Sequence, residues 1–251
     1  MKKIFLPILI KAGKRIEKRK FNEPPIYIGG CGRSGTTLLL SILSAHNDIF
    51  ACPRELNLFD RAEITGSDVI TPKFYRLYRT FITNRIKSTA TRYCEKSPSN
   101  ICKIPLIEKL HHKNFKLIHI IRDGRDVILS KHPRGKDKYW VEPERWVDDV
   151  SEGLKFQDHP SVHTIRYEDL VKDYPNTIGE ICSFLEMPLS DEIINWHKNA
   201  TVRQNNALYQ KIDEISTTSV EKWKKPENSE RVQQLTGNTE GMKLLEKLGY
   251  I

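Results

Sequence analysis

The run Gly29-Gly30-Cys31-Gly32-Arg33-Ser34-Gly35-Thr36-Thr37 brings together glycines, hydroxyls and one arginine. It follows an apolar, β-prone stretch, Ile26-Tyr27-Ile28, and runs into leucines whose pattern predicts a helix from Thr36 to Ala45. A strand that turns through glycines into a helix aims several backbone N–H groups at one point, and that point holds an anion. Arg33 adds a fixed positive charge to it. Against the pattern G-x-x-x-x-G-K-[ST], Gly30 and Gly35 match and Thr37 takes the hydroxyl position, but Thr36 stands where the lysine belongs. The loop therefore reads as an anion cradle without the lysine that grips a nucleoside triphosphate.

Three further stretches carry residues suited to group transfer. In "CPRELNLFD", Glu55 could take a proton from an attacking group near the cradle, or could pair with Arg54. In "EKSPSN", Lys96 and Ser97 end a strand before a proline-led turn. Lys96 there could steady negative charge on a leaving phosphate, or could be a surface lysine paired with Glu95. In "LIHIIRDGRDVILSKH", a buried hydrophobic run meets Arg122, and Ser130 lies about two turns along the predicted helix that follows. A guanidinium fork and a hydroxyl could meet one phosphate there. Read separately, Arg122 pairs with Asp126 and Ser130 bonds back into its helix.

These residues must be positioned by a repeating frame. After the first strand, "DIFAC", "RYCEK", "FKLIHIIRD" and "SVHTIRYEDL" predict four more strands. Amphipathic segments at Thr36 to Ala45, Pro72 to Lys87, Ile101 to His111 and Pro143 to Phe156 alternate with them. Such alternation implies an α/β fold of three layers, α/β/α, with a central parallel sheet of the P-loop type. Ligands of such sheets sit at the carboxyl ends of the strands, where all these residues fall. Beyond Tyr167 the pattern turns helical. "KWKKPENSERVQQ" reads as a polar loop before a last short helix, "TEGMKLLEKLGY".

The chain has 251 residues, enough for one large domain over residues 25–251, preceded by a basic arm at residues 1–24. Lys+Arg 41 against Asp+Glu 32 gives a net charge of +9, which favours anionic ligands, nucleic acid or an acidic surface. The five cysteines are odd in number and form no C-x-x-C pair, which argues against a disulfide framework or zinc site and for a reducing, cytoplasmic location. No carboxylate-rich metal cluster is visible, so no metal is expected. The arm "MKKIFLPILIKAGKRIEKRKF" is too short to span a bilayer and lacks an evident signal-peptide cleavage site. It reads as a frayed or packed basic segment, with weak membrane-surface contact as the other reading. A nucleic-acid-binding protein would need an RNA-binding motif or an aromatic-interleaved basic face, and neither is present.

Taken together, "GRSGTTLLLSILSAHNDI", "RELNLF", "EKSPSN", "LIHIIRDGRDVILS", "RYEDL" and "CSFLEM" resemble the sulfotransferases that use 3′-phosphoadenosine 5′-phosphosulfate (PAPS), especially a bacterial branch related to tyrosylprotein and carbohydrate sulfotransferases. The resemblance runs from about Ile26 to Lys225. It implies that Arg33, Ser34, Gly35, Thr36 and Thr37 hold the 5′-phosphosulfate and that Arg122 and Ser130 hold the 3′-phosphate. It also implies Glu55 as catalytic base and Lys96 as a contact to the bridging oxygen, with Arg33 and Lys96 assisting transfer. "TTSVEKWKK" resembles the segment that closes over the nucleotide, making Ser219, Trp223 and Lys224 cofactor-binding candidates; Trp223 also reads as a half-buried packing aromatic. Many relatives have proline where this chain has Gly124, which implies a looser turn after Arg122. The acceptor implied is a saccharide, peptide, lipid or small phenol, and the stretches Asp60 to Lys87 and His132 to Trp146, which carry aromatic, basic and acidic residues, are expected to line its pocket. The rival enzyme is a P-loop kinase or NTPase with an altered loop.

Overall fold

The structure, a computed structural model, describes residues 2–65, 68–70, 73–132, 135–203 and 215–251. Five strands form one parallel sheet: β1 (Ile26–Gly29), β2 (Ile49–Ala51), β3 (Arg92–Lys96), β4 (Lys116–Ile121) and β5 (Val162–Arg166), in the spatial order β2-β3-β1-β4-β5. Ile28 of β1 faces Lys96 on one side and Ile118 on the other. This register brings the carboxyl ends of β1 and β3 level at the phosphate-loop edge. Order reverses on either side of β1, so the crevice that such sheets use for ligands opens at its end.

The sheet is covered on both faces because its side chains alternate. Ile26, Ile28, Ile118 and Ile120 pack under α2 (Thr36–Leu43) and under Ile178 and Ile181 of the later helix Tyr174–Phe184. Tyr27, Phe50, Tyr93 and Leu117 face the other way, toward α3 (Tyr75–Thr83) and α4 (Ile104–Leu110). After β4 come α5 (Gly124–Val127), α6 (Pro143–Leu154) and, after β5, α7 (Tyr167–Lys172). Helix α6 lies close on β4 because Gly153 faces the His119 ring; a Cβ at Gly153 would come within 2.3 Å of it. Burial pushes the His119 imidazole down to about 3, so it stays neutral in that core.

The residues expected to form a frayed or packed arm are a helix, α1 (Lys2–Lys20), held along α3. Gly13 lets the backbone approach Tyr78, whose Cβ would lie 2.1 Å from a Cβ at that position. Leu9, Ile10, Ile16 and Phe21 pack into the core, and Phe21 meets Phe81 with ring centroids 4.9 Å apart.

Other expectations change in detail. The segment expected to be helical from Ile101 begins as the 3₁₀ turn Pro98–Lys103 before α4. The supposed loop "KWKKPENSERVQQ" runs into the helix Ser229–Thr236, which turns Leu235 and Arg231 inward one helical turn apart. Arg231 donates to the Val141 carbonyl and pairs with Glu142 at 2.8 Å, an inward role that a polar sequence hides. Two hairpins, Glu63–Thr65 with Asp68–Ile70 and Lys131–His132 with Gly135–Tyr139, have no counterpart in the sequence reading. Pro72 lies outside the described residues.

Candidate active site

At the end of β1 the chain turns through Gly30, whose φ of 151° and position against the Ile120 carbonyl exclude a side chain; a Cβ would sit 2.4 Å from that oxygen. Gly35 caps α2 at φ 98°, and a Cβ there would meet the Tyr167 ring at 2.4 Å. Arg33 adopts the left-handed region at φ 73°, uncommon for a residue with a side chain, and this turns the loop toward the start of α2. The first-turn N–H groups of α2 lack intrahelical partners and face an anion's position.

Arg122 emerges from β4 beside this loop. It donates to the Arg33 carbonyl at 3.1 Å and to the Ser219 carbonyl, and its guanidinium lies 4.6 Å from the centre of the Tyr167 ring. Burial first, and the Arg122 charge second, pull the Arg33 pKa down from its ordinary value. Two guanidiniums are thus crowded at one helix start. The ion pair read from the sequence between Arg122 and Asp126 exists at 3.8 Å, but Asp126 is chiefly engaged elsewhere. Its oxygens accept from the backbone N–H groups of Glu221 at 2.7 Å and Trp223 at 3.1 Å, tying down the C-terminal segment.

Lys96 is 1% exposed, not a surface lysine. Alternation along β3 sends it and Glu95 to opposite sides, and its ammonium ion-pairs with Glu55 and donates to Thr37 Oγ1 at 3.2 Å. Glu55 therefore pairs with Lys96, and that contact links the expected base to the anion loop. Glu95 is fully buried and holds the Glu55 loop from behind. Its carboxylate accepts from Leu56 N–H at 3.0 Å, Ser97 Oγ at 2.6 Å and Asn100 Nδ2 at 2.8 Å. Ser97 Oγ accepts in turn from Asn57 N–H at 3.0 Å. Burial raises the Glu95 pKa against the opposing pull of Asn100, Ser97 and the Leu56 N–H.

A cleft of about 510 Å³ collects most of these groups. Arg33, Gly35, Thr36, Thr37, Glu55, Arg122 and Ser219 line it; Ser34 is buried beneath its loop, and Lys96 lies beneath Thr37 and Glu55. Three other expected residues stand outside the wall. Ser130 is not on a helix: α5 ends at Val127, and the Ser130 carbonyl accepts from Trp140 N–H at 2.8 Å, so the chain turns into a hairpin there. Trp223 and Lys224 border a second recess of about 440 Å³; the Arg125 guanidinium lies 3.6 Å from the Trp223 ring centre, and Lys224 pairs with Glu221 at 2.9 Å. The turn after Arg122 is closed rather than loose. Asp123 caps α5, and a Cβ on Gly124 would lie 2.6 Å from the Trp146 ring, whose Nε1 donates to the Arg122 carbonyl at 3.1 Å.

Tyr167 and Asn57 are wall residues that no site assignment from the sequence names, whereas Asp60, Trp140 and Arg145, also on the wall, fall within the two stretches expected to line the acceptor pocket. Tyr167 joins the site's parts, donating or accepting at 2.7 Å with Ser219 Oγ while its ring backs Gly35 and Arg122. Its place directly after β5 was the available signal. Trp140, stacked on His132 with centroids 4.6 Å apart, and Arg145 come from a hairpin and a helix that no strand-end rule would single out.

The donors of this cleft are arranged to receive an anion. Arg33 Nε, Ser34 Oγ and Arg122 Nε are buried and have no hydrogen-bond partner, a costly arrangement for polar atoms unless a ligand completes it. Among the described residues no group of three or more His, Cys, Asp or Glu side chains could hold a metal ion. A parallel α/β sheet with a cationic loop-to-helix cradle at its switch point defines a protein that handles phosphorylated or sulfated groups. Residues 24–191 match the sulfotransferase family, and the chain belongs to it.

Relatives agree with that placement. A Caenorhabditis briggsae chain assigned as a protein-tyrosine sulfotransferase is 29% identical over 228 residues, covering 80% of this chain and 81% of its own. The protein-tyrosine sulfotransferase of Drosophila melanogaster is 26% identical over 255 residues, 91% of this chain, which spans 50% of that relative's length. In three dimensions the fold resembles that of the mouse sulfotransferase SULT7A1 complexed with PAP, with a TM-score of 0.59 and 14% identity over 92% of this chain and 90% of that one.

Proposed function

We propose that this sulfotransferase moves the sulfuryl group of PAPS to an acceptor hydroxyl or amine, releasing adenosine 3′,5′-bisphosphate (PAP). The observation that carries this reading is the pair of crowded guanidiniums, Arg33 and Arg122, with unpartnered buried donors around one helix start. The PAP bound in the mouse relative supports the choice of nucleotide. In this reading the acceptor oxygen or nitrogen attacks sulfur as the bond from sulfur to the bridging oxygen breaks, and the electron pair stays on the 5′-phosphate. Glu55 takes the acceptor's proton. Lys96 and Arg33, with the loop amides of Gly35 to Thr37, steady the charge gathering on the leaving side. Arg122 faces the nucleotide; the parts of Ser130, Trp223 and Lys224 rest on the resemblance alone.

A sulfuryl group carries less negative charge than a terminal phosphoryl group, so these cations can serve where a kinase recruits magnesium. The acceptor is drawn from saccharides, peptides, lipids and small phenols, and the protein-tyrosine relatives favour a phenolic hydroxyl. All five cysteines are free thiols, which supports a reducing compartment. The test is turnover of PAPS with an acceptor library in excess chelator, read as product mass. Gain of one sulfuryl group with chelator present is the expected result, and activity lost in chelator and restored by magnesium would refute the metal-free mechanism.

A further inference from the structure

The net positive charge of this protein is concentrated in one helix. Helix α1 contains eight lysines and arginines, Lys2, Lys3, Lys11, Lys14, Arg15, Lys18, Arg19 and Lys20, and one acid, Glu17. That is 8 minus 1, or +7, of the chain's net +9, which leaves +2 for the remaining residues. Glu17 is turned toward Tyr78, with which it hydrogen-bonds, and adds little to the outer face. Lys11, Lys14, Arg15, Lys18, Arg19 and Lys20 are exposed.

Apolar residues accompany these cations. Ile8 is 62% exposed and Leu6 42%, and Ile8 leads the described large hydrophobic residues in exposure. At helical spacing Ile8, Lys11, Arg15 and Lys18 share one stripe, with Ala12 and Arg19 beside it. Leu9, Ile10 and Ile16, on the opposite stripe, are packed into the core, and the Gly13 contact with Tyr78 fixes the helix on α3. The outer stripe is therefore displayed on a rigid support. Helix α3 adds exposed Arg79 and Ile82 next to it, and the chain beyond adds exposed Arg85.

We propose that the outer face of α1 docks on an anionic lipid bilayer, its cations against the headgroups and Ile8 in the interfacial layer. A nucleic acid would use the same charges but has no use for protruding aliphatic side chains, whereas an interfacial helix needs both. No helix among the described residues is long and apolar enough to cross a membrane. The proposal does not depend on the chemistry of the cleft.

The test is sedimentation of the full chain with phosphatidylcholine vesicles, with and without phosphatidylglycerol, at low and physiological salt. Binding is expected only with phosphatidylglycerol. It should fall roughly fivefold for each cation removed in Lys11→Gln and Arg15→Gln. Ile8→Asp should also lose binding, and Ile8→Ala should lose part of it at unchanged charge. Thermal melts matched to the parent chain exclude misfolding of these exposed substitutions. Equal sedimentation with both vesicle types, or none with either, overturns the proposal. So does retention of a single-stranded RNA with no effect of Ile8→Asp on vesicle binding, which would make the face a site for nucleic acid.

Discussion

Glu55→Gln is expected to lower sulfuryl transfer by roughly 10²–10⁴-fold, the usual contribution of a positioned general base, while PAP still binds. The glutamine fills the same space and can still face Lys96, so the anion loop and the Lys96 to Thr37 bond remain supported. What disappears is the group able to accept the acceptor's proton. The Glu95 clamp on Leu56, together with the Ser97 contact to Asn57, lies behind the substituted residue and is untouched by it, which keeps the loop in place. Transfer rates in single-turnover conditions, with PAP affinity measured by calorimetry on the same sample, make the comparison. Near-normal turnover with PAP bound would move the base elsewhere, and His132, stacked on Trp140 at the cleft wall, would be the next residue to replace.

The sequence carried the frame because its strongest signals are local. Five apolar runs ending in functional residues, separated by amphipathic segments, leave few arrangements other than a parallel sheet, and the anion loop declares itself by glycines, hydroxyls and helix order within a dozen residues. Partner choice was less legible. Whether Lys96 meets Glu95 or Glu55 depends on which side of β3 each side chain leaves, and on a loop brought in from β2. The sequence alone puts Ser130 on a helix because "DVILS" is apolar enough to continue one. The backbone turns away instead, since the Ser130 carbonyl is taken by Trp140 N–H in pairing that only the folded hairpin creates. Trp140 and Arg145 enter the cleft for the same reason, through contacts between distant segments.

Arg122→Ala is expected to separate ligands that differ only in the 3′-phosphate. Hydrogen bonds to charged groups contribute roughly 1.5–3 kcal/mol each, so PAP should bind about tenfold to a few hundredfold more weakly, and adenosine 5′-monophosphate nearly as before. The structure sharpens the comparison, because Arg122 also donates to the Arg33 and Ser219 carbonyls and lies over Tyr167. Its loss could therefore loosen the loop as well as remove a charge. Calorimetric titration of both nucleotides distinguishes the two effects. A loss confined to PAP assigns Arg122 to the 3′-phosphate; equal losses for both nucleotides would mean that it serves the loop and the C-terminal segment, and Lys224 and Ser219 would become the residues to test.

The central claim, that Thr36 in place of a lysine marks a cradle for PAPS rather than for a nucleoside triphosphate, is tested most directly by donor choice. The same protein and acceptor are given PAPS in chelator or adenosine triphosphate with magnesium, and products are weighed by mass spectrometry. PAP and sulfated acceptor are expected in equal amounts from PAPS, and no transfer from the triphosphate. A phosphorylated acceptor from adenosine triphosphate with PAPS inert would contradict it.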